Sequence, residues 1–64
     1  MGKIRRGGFI FVTWVGDHGK HVHVFRNQRE VLKWDLETDR AIQGTASRRL
    51  VRLIRELREE GVLR

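Results

Sequence analysis

Cysteine, proline and tyrosine are absent from this 64-residue chain, and its aromatic residues are two tryptophans and three phenylalanines. Without cysteine there is no disulfide and no thiolate zinc site to brace the fold. No apolar run approaches the roughly 18 residues of a membrane span, and no signal peptide is evident. A membrane is therefore not expected among the partners. The cysteine-free composition is compatible with a reducing cytoplasm, the location expected here. Acidic residues are also in the minority, eight against fourteen Lys and Arg, for a formal charge of +6 and a pI near 11.4. Nucleic acid is thus an expected partner.

At this length the chain is a single domain, residues 1–64, because domains rarely fall below about 50 residues. A domain of this size buries only about 60% of the surface its unfolded chain exposes. Natural mini-proteins often add a staple at this size, so a partner, a second copy or a metal is expected to complete the core. The charge is uneven. Residues 1–29 hold six basic and one acidic residue, for +5. Residues 30–47 hold two and four, for −2, and residues 48–64 six and three, for +3.

Residues 1–8, MGKIRRGG, read as a basic, flexible arm. Phe9–Val15 is a β-branched and aromatic run that favours a strand. Gly16-Asp17-His18-Gly19 supplies turn chemistry, and His21–Arg26 alternates as a second strand. A third strand is expected over Val31–Leu36 and a short fourth over Ala41–Gln43. From Thr45 the apolar spacing becomes helical, with Leu50, Leu53, Ile54 and Leu57 on one face of a helix over about Ala46–Glu60. Thr45 or Ser47 can cap its start. Gly61 suits its left-handed end, with Val62 folding back as the apolar contact. The fold class is α+β: a three- to four-stranded antiparallel meander on one C-terminal helix, β-β-β(-β)-α.

One helix covers one face of such a sheet. Alternation assigns Ile10, Val12, Trp14, Val22, Val24, Leu32, Trp34 and Leu36 to the helix side, making Trp14 and Trp34 core anchors. Phe9, Phe11, Val15, His21, His23, Phe25, Val31 and Lys33 are then left on the open face. Phe9, Phe11 and Phe25 there call for a homodimer, a cognate small protein, or stacked bases. Lys3, Arg5, Arg6, Lys20, Arg26 and Lys33, with a helical stripe of Arg48, Arg52 and Arg55, are the candidate contacts to RNA or DNA phosphates. The stripe can equally be solvated, with Arg52–Glu56 and Arg55–Glu59 as weak pairs.

All three histidines fall between Asp17 and His23. His21 and His23, two apart on a strand, have side chains roughly 7 Å apart at the backbone and point the same way. They can act as general acid and base on RNA, whose 2′-hydroxyl supplies the nucleophile, with Asp17 or His18 orienting a ring. Lys20, Arg26 or Lys33 would stabilise the phosphorane. The sequence requires no cofactor. A divalent metal on His21 and His23 is compatible with it, and so is a purely structural strand with polar residues outward.

The run Gly16-Asp17-His18-Gly19-Lys20-His21-Val22-His23-Val24 resembles the domain of unknown function family 4160, small bacterial proteins with an Asp-His, a short insert and a His-x-His. The resemblance continues through Lys33-Trp34-Asp35-Leu36, Ile42-Gln43-Gly44 and Arg49–Leu63, nearly the whole chain. It implies a bacterial protein of a kind sometimes encoded beside a second small protein in toxin–antitoxin pairs. It also makes Asp17, His18, His21 and His23 the family's polar motif. Many relatives carry prolines in the insert, where this chain has Gly19-Lys20. That departure makes the loop more mobile.

Overall fold

The structure, a computed structural model, describes residues 3–16 and 19–63, without the side chains of residues 14–16 and 19. Five antiparallel strands in the order β1-β2-β3-β4-β5 are followed by one helix. They are β1 Lys3–Arg6, β2 Phe9–Gly16, β3 Gly19–Arg26, β4 Arg29–Asp35, β5 Arg40–Gly44 and α1 Arg48–Glu59. The α+β meander with a terminal helix is as expected, with one strand more. Lys3–Arg6, expected within a flexible arm, pairs with β2 instead. The reason is the Gly7-Gly8 turn. Both residues have positive φ, 61° and 83°, the backbone a tight two-residue hairpin turn demands and glycine adopts without strain. Asn27 and Gln28, with φ of 53° and 66°, close the β3–β4 hairpin in the same way.

The helix, expected over about Ala46–Glu60, runs Arg48–Glu59. The Ser47 hydroxyl, rather than that of Thr45, accepts the Leu50 N–H at 3.2 Å and satisfies an otherwise orphaned donor. At the other end Gly61 takes φ 79°. The Val62 N–H then donates to the Leu57 carbonyl and the Gly61 N–H to that of Arg58, at 3.1 and 3.0 Å. These two bonds form the Schellman arrangement. The apolar contact is Leu63, 3% exposed, and not Val62, which is 45% exposed.

The core lies between the helix and one sheet face: Phe9, Phe11, Val22, Val24, Leu32, Trp34 and Leu36 against Leu50, Ile54, Leu57 and Leu63. Phe9 and Phe11 meet edge to face, with ring centroids 6.4 Å apart. The helix-side assignment therefore holds for β3 and β4 and is reversed for Phe9–Val12 of β2, while the side chains of Trp14, expected as a core anchor, and Val15 lie outside those described. Phe9 and Phe11 are core residues, while Ile10 and Val12 lie on the face away from the helix. Loop parity explains the reversal. β2 and β3 pair in unbroken register out to Gly16↔Gly19. Every odd residue of β2 is thus opposite an even residue of β3: Phe11 faces Val24 and Thr13 faces Val22. Grouping Ile10 and Val12 with Val22 and Val24 requires an odd number of residues in the loop.

Between β3 and β4 a bulge changes the parity. Arg26↔Arg29 is followed by Phe25↔Glu30 and then Val24↔Leu32, which leaves Val31 without a partner. Val31, expected on the open face, packs partly against the core at this point. The Trp34 indole N–H is buried and has no acceptor among the described residues, a cost of about 1–3 kcal/mol. No helix among the described residues is long and apolar enough to cross a membrane.

Candidate functional site

The sheet face away from the helix is built by strand alternation and register. One row across it runs Lys3–Val12–His23–Lys33–Gln43. On one side is Arg5–Ile10–Phe25–Glu30. On the other, the backbone of Trp14 pairs with His21, His21 with Asp35 and Asp35 with Arg40. Ile10, Val12, His21, His23, Phe25 and Lys33 are all partly exposed. The centre of the face is apolar and imidazole-bearing, and Lys3, Arg5 and Lys33 stand around it.

Of the two histidines of β3, His23 is bonded to a carboxylate of β4 and His21 stands across from another. The His23 ring Nδ1 is hydrogen-bonded to a Glu30 carboxylate oxygen. Because an ionised carboxylate only accepts, Nδ1 is the donor in this contact. His21 stands opposite Asp35. The Asp35 carboxyl is held below its ordinary value, chiefly by accepting the Glu37 backbone N–H at 2.8 Å. The Thr38 N–H at 3.4 Å adds to this, as does the nearby His21. Asp17 and His18, expected to orient the rings, lie outside the described residues. Glu30 and Asp35 were not singled out by their spacing. Alternation along β4 does place Asp35 beside Lys33, but only the bulge sets it opposite His21. Among the described residues no group of three or more His, Cys, Asp or Glu is placed to hold a metal ion.

The candidate phosphate contacts divide between two faces. Lys3, Arg5 and Lys33 lie with the histidines. Arg6 is on the helix side, where its guanidinium forms a two-pronged pair with Glu60, one arm at 2.8 Å. That pairing raises the Arg6 pKa and lowers that of Glu60. Lys20 lines a shallow hollow at the far end with Leu36, Glu37, Arg58 and Leu63. Arg26 stands over the Phe9 ring, 5.6 Å from its centroid. Arg48, Arg52 and Arg55 line the outer side of the helix with Val51, Glu56 and Glu59, and among the described residues they form no ion pair. Of the three phenylalanines expected at an interface, only Phe25 is on the open face. Compared with protein-family models, with curated proteins and with solved structures, the chain matches none.

Proposed function

We propose that the chain is a cytoplasmic binding protein of the toxin–antitoxin type that engages single-stranded nucleic acid, RNA foremost, through the open face of its sheet. The observation that carries this reading is the composition of the uncovered face: Ile10, Val12 and Phe25 beside His21 and His23, with Lys3, Arg5 and Lys33 around them. Non-specific single-strand binders combine ring platforms for bases with cations for the backbone. The toxin–antitoxin setting rests on the family resemblance alone. The test is fluorescence anisotropy with a short single-stranded RNA at low salt. Phe25→Ala and Lys33→Glu are each expected to weaken binding about tenfold, in line with about 1–3 kcal/mol per stacked base. Affinity unchanged in both variants would overturn the reading. A complex with a second copy or a cognate small protein that Phe25→Asp dissociates would replace it.

A second reading, general acid/base cleavage of RNA, is favoured by the hydrogen bond of His23 to Glu30, a contact that orients imidazole for proton transfer. It predicts that His21→Asn or His23→Asn abolishes cleavage while the domain stays folded. A divalent metal on the same histidines is the remaining alternative, tested by metal content after purification without chelators.

A further inference from the structure

We infer that the end of the sheet carrying the Gly7-Gly8 turn is a phosphate-binding site, formed by Arg26 and Arg49 beside that turn and separate from the open face. Phe9 follows the turn directly, and two guanidiniums stand over its ring. Arg26 reaches it from the end of β3 and Arg49 from the first turn of α1, at 5.6 and 5.9 Å from the centroid. Each contact is a cation–π interaction that anchors its charge. Arg49 is further fixed by donating from Nη2 to the Gly7 carbonyl at 3.0 Å, which leaves other guanidinium N–H donors for a ligand. Arg5 and Arg6 line a shallow concavity of about 440 Å³ with Gly7, Gly8, Phe9 and Ile10.

The charges at this end are not balanced. Glu60 pairs with Arg6, but Arg26 and Arg49 form no ion pair among the described residues. Arginines drawn to one ring and one glycine turn without a counterion repel one another, and a bound anion relieves that repulsion. Gly8 leaves room for it, since no heavy atom lies within 4 Å of where its Cβ would be. The planar fork of arginine suits phosphate oxygens in particular. The ligand is a phosphate group, either a phosphodiester of the nucleic acid proposed above or a free phosphate or pyrophosphate. Only the first source rests on the nucleic-acid reading.

The experiment has two arms. In the first, inorganic pyrophosphate is titrated at low ionic strength into the wild-type chain and the Arg26→Gln and Arg49→Gln variants, followed by backbone and arginine side-chain NMR. Shifts confined to Gly7–Phe9, Arg26 and Arg49, with affinity lowered about tenfold in either variant, are the expected result, because a charge-assisted bidentate contact is lost. Thermal melts confirm that both variants are folded, and Arg49→Lys, which keeps the charge, is expected to recover part of the affinity. Shifts spread evenly over the basic surface, or affinity unchanged in both glutamine variants, overturn the proposal. The second arm measures binding of single-stranded RNA against salt. If the phosphate is a phosphodiester, each glutamine variant lowers the salt slope by about 0.7. RNA binding that fails altogether while pyrophosphate still binds leaves this site standing with a free phosphate as its ligand, and removes only the nucleic-acid reading.

Discussion

His23 and Glu30 are hydrogen-bonded side chain to side chain across the β-bulge that joins β3 to β4. Glu30 pairs with Phe25 on the turn side of the bulge, which puts it on the face that Phe25 shares with His23. With the Arg26↔Arg29 turn and no bulge, Leu32 would stand opposite His23 and Trp34 opposite His21, on the face away from the helix. The extra residue instead sets Leu32 opposite Val24 and Trp34 opposite Val22, on the helix side.

The first prediction concerns this pair. Glu30→Ala removes the acceptor that holds the Nδ1 proton, so the His23 ring loses its fixed tautomer. Imidazole nitrogen NMR of the wild type is expected to show Nδ1 protonated, with the two forms mixed in the variant. An unchanged tautomer would mean that the contact does not orient the ring.

Phe11 and Val12 are neighbours in sequence on opposite faces. Phe11 has no exposed surface, so Phe11→Ala leaves a cavity and should cost about 3–5 kcal/mol. Val12 is partly exposed on the face away from the helix, and Val12→Ala should cost under about 1 kcal/mol. Urea denaturation of the two variants checks the β2 face directly, since reversed values would restore the arrangement that alternation alone suggested.

Gly44 closes β5 with φ 86°, and a Cβ there would collide with the carbonyl oxygen of Val31. That atom is backbone and cannot swing away. Gly44→Ala is therefore expected to destabilise the domain by about 1–3 kcal/mol or more, combining left-handed strain with the clash. A melting temperature within a degree or so of the wild type would refute the close approach.

Glu60, hydrogen-bonded by Arg6, titrates below its ordinary value of 4.5. A carboxyl whose folded pKa is lowered contributes stability that is fully present above its unfolded pKa. That contribution is lost as the pH falls through the folded one. The wild type should thus exceed Glu60→Gln in stability at neutral pH, with the difference shrinking below about pH 4.5 and vanishing in stronger acid. Because the pair is exposed, the difference is small and should fall further in high salt. Melts across pH at two ionic strengths measure it.

What the linear chain determined is local. Apolar spacing at Leu50, Ile54 and Leu57 defines the helix, Ser47 and Gly61 its ends, and β-branched alternation the strands from Phe9 to Leu36, because these features depend on near neighbours along the backbone. Two glycines at 7 and 8 also carry a hairpin signal, though the basic residues before them read as an arm. Tertiary structure decided which residues share a face. Side chains on a strand repeat every two residues, so one residue of loop parity or one bulge exchanges core for surface along a whole strand. That single degree of freedom sent Phe9 and Phe11 inward. It also set His21 opposite Asp35, while strand alternation divided the basic residues between the open face and the helix side. With no cysteine, no disulfide braces the 64 residues. The contacts that join the sheet to the helix ends, Arg6 with Glu60 and Arg49 with the Gly7 carbonyl, are 54 and 42 residues apart in the chain, beyond the reach of any local pattern.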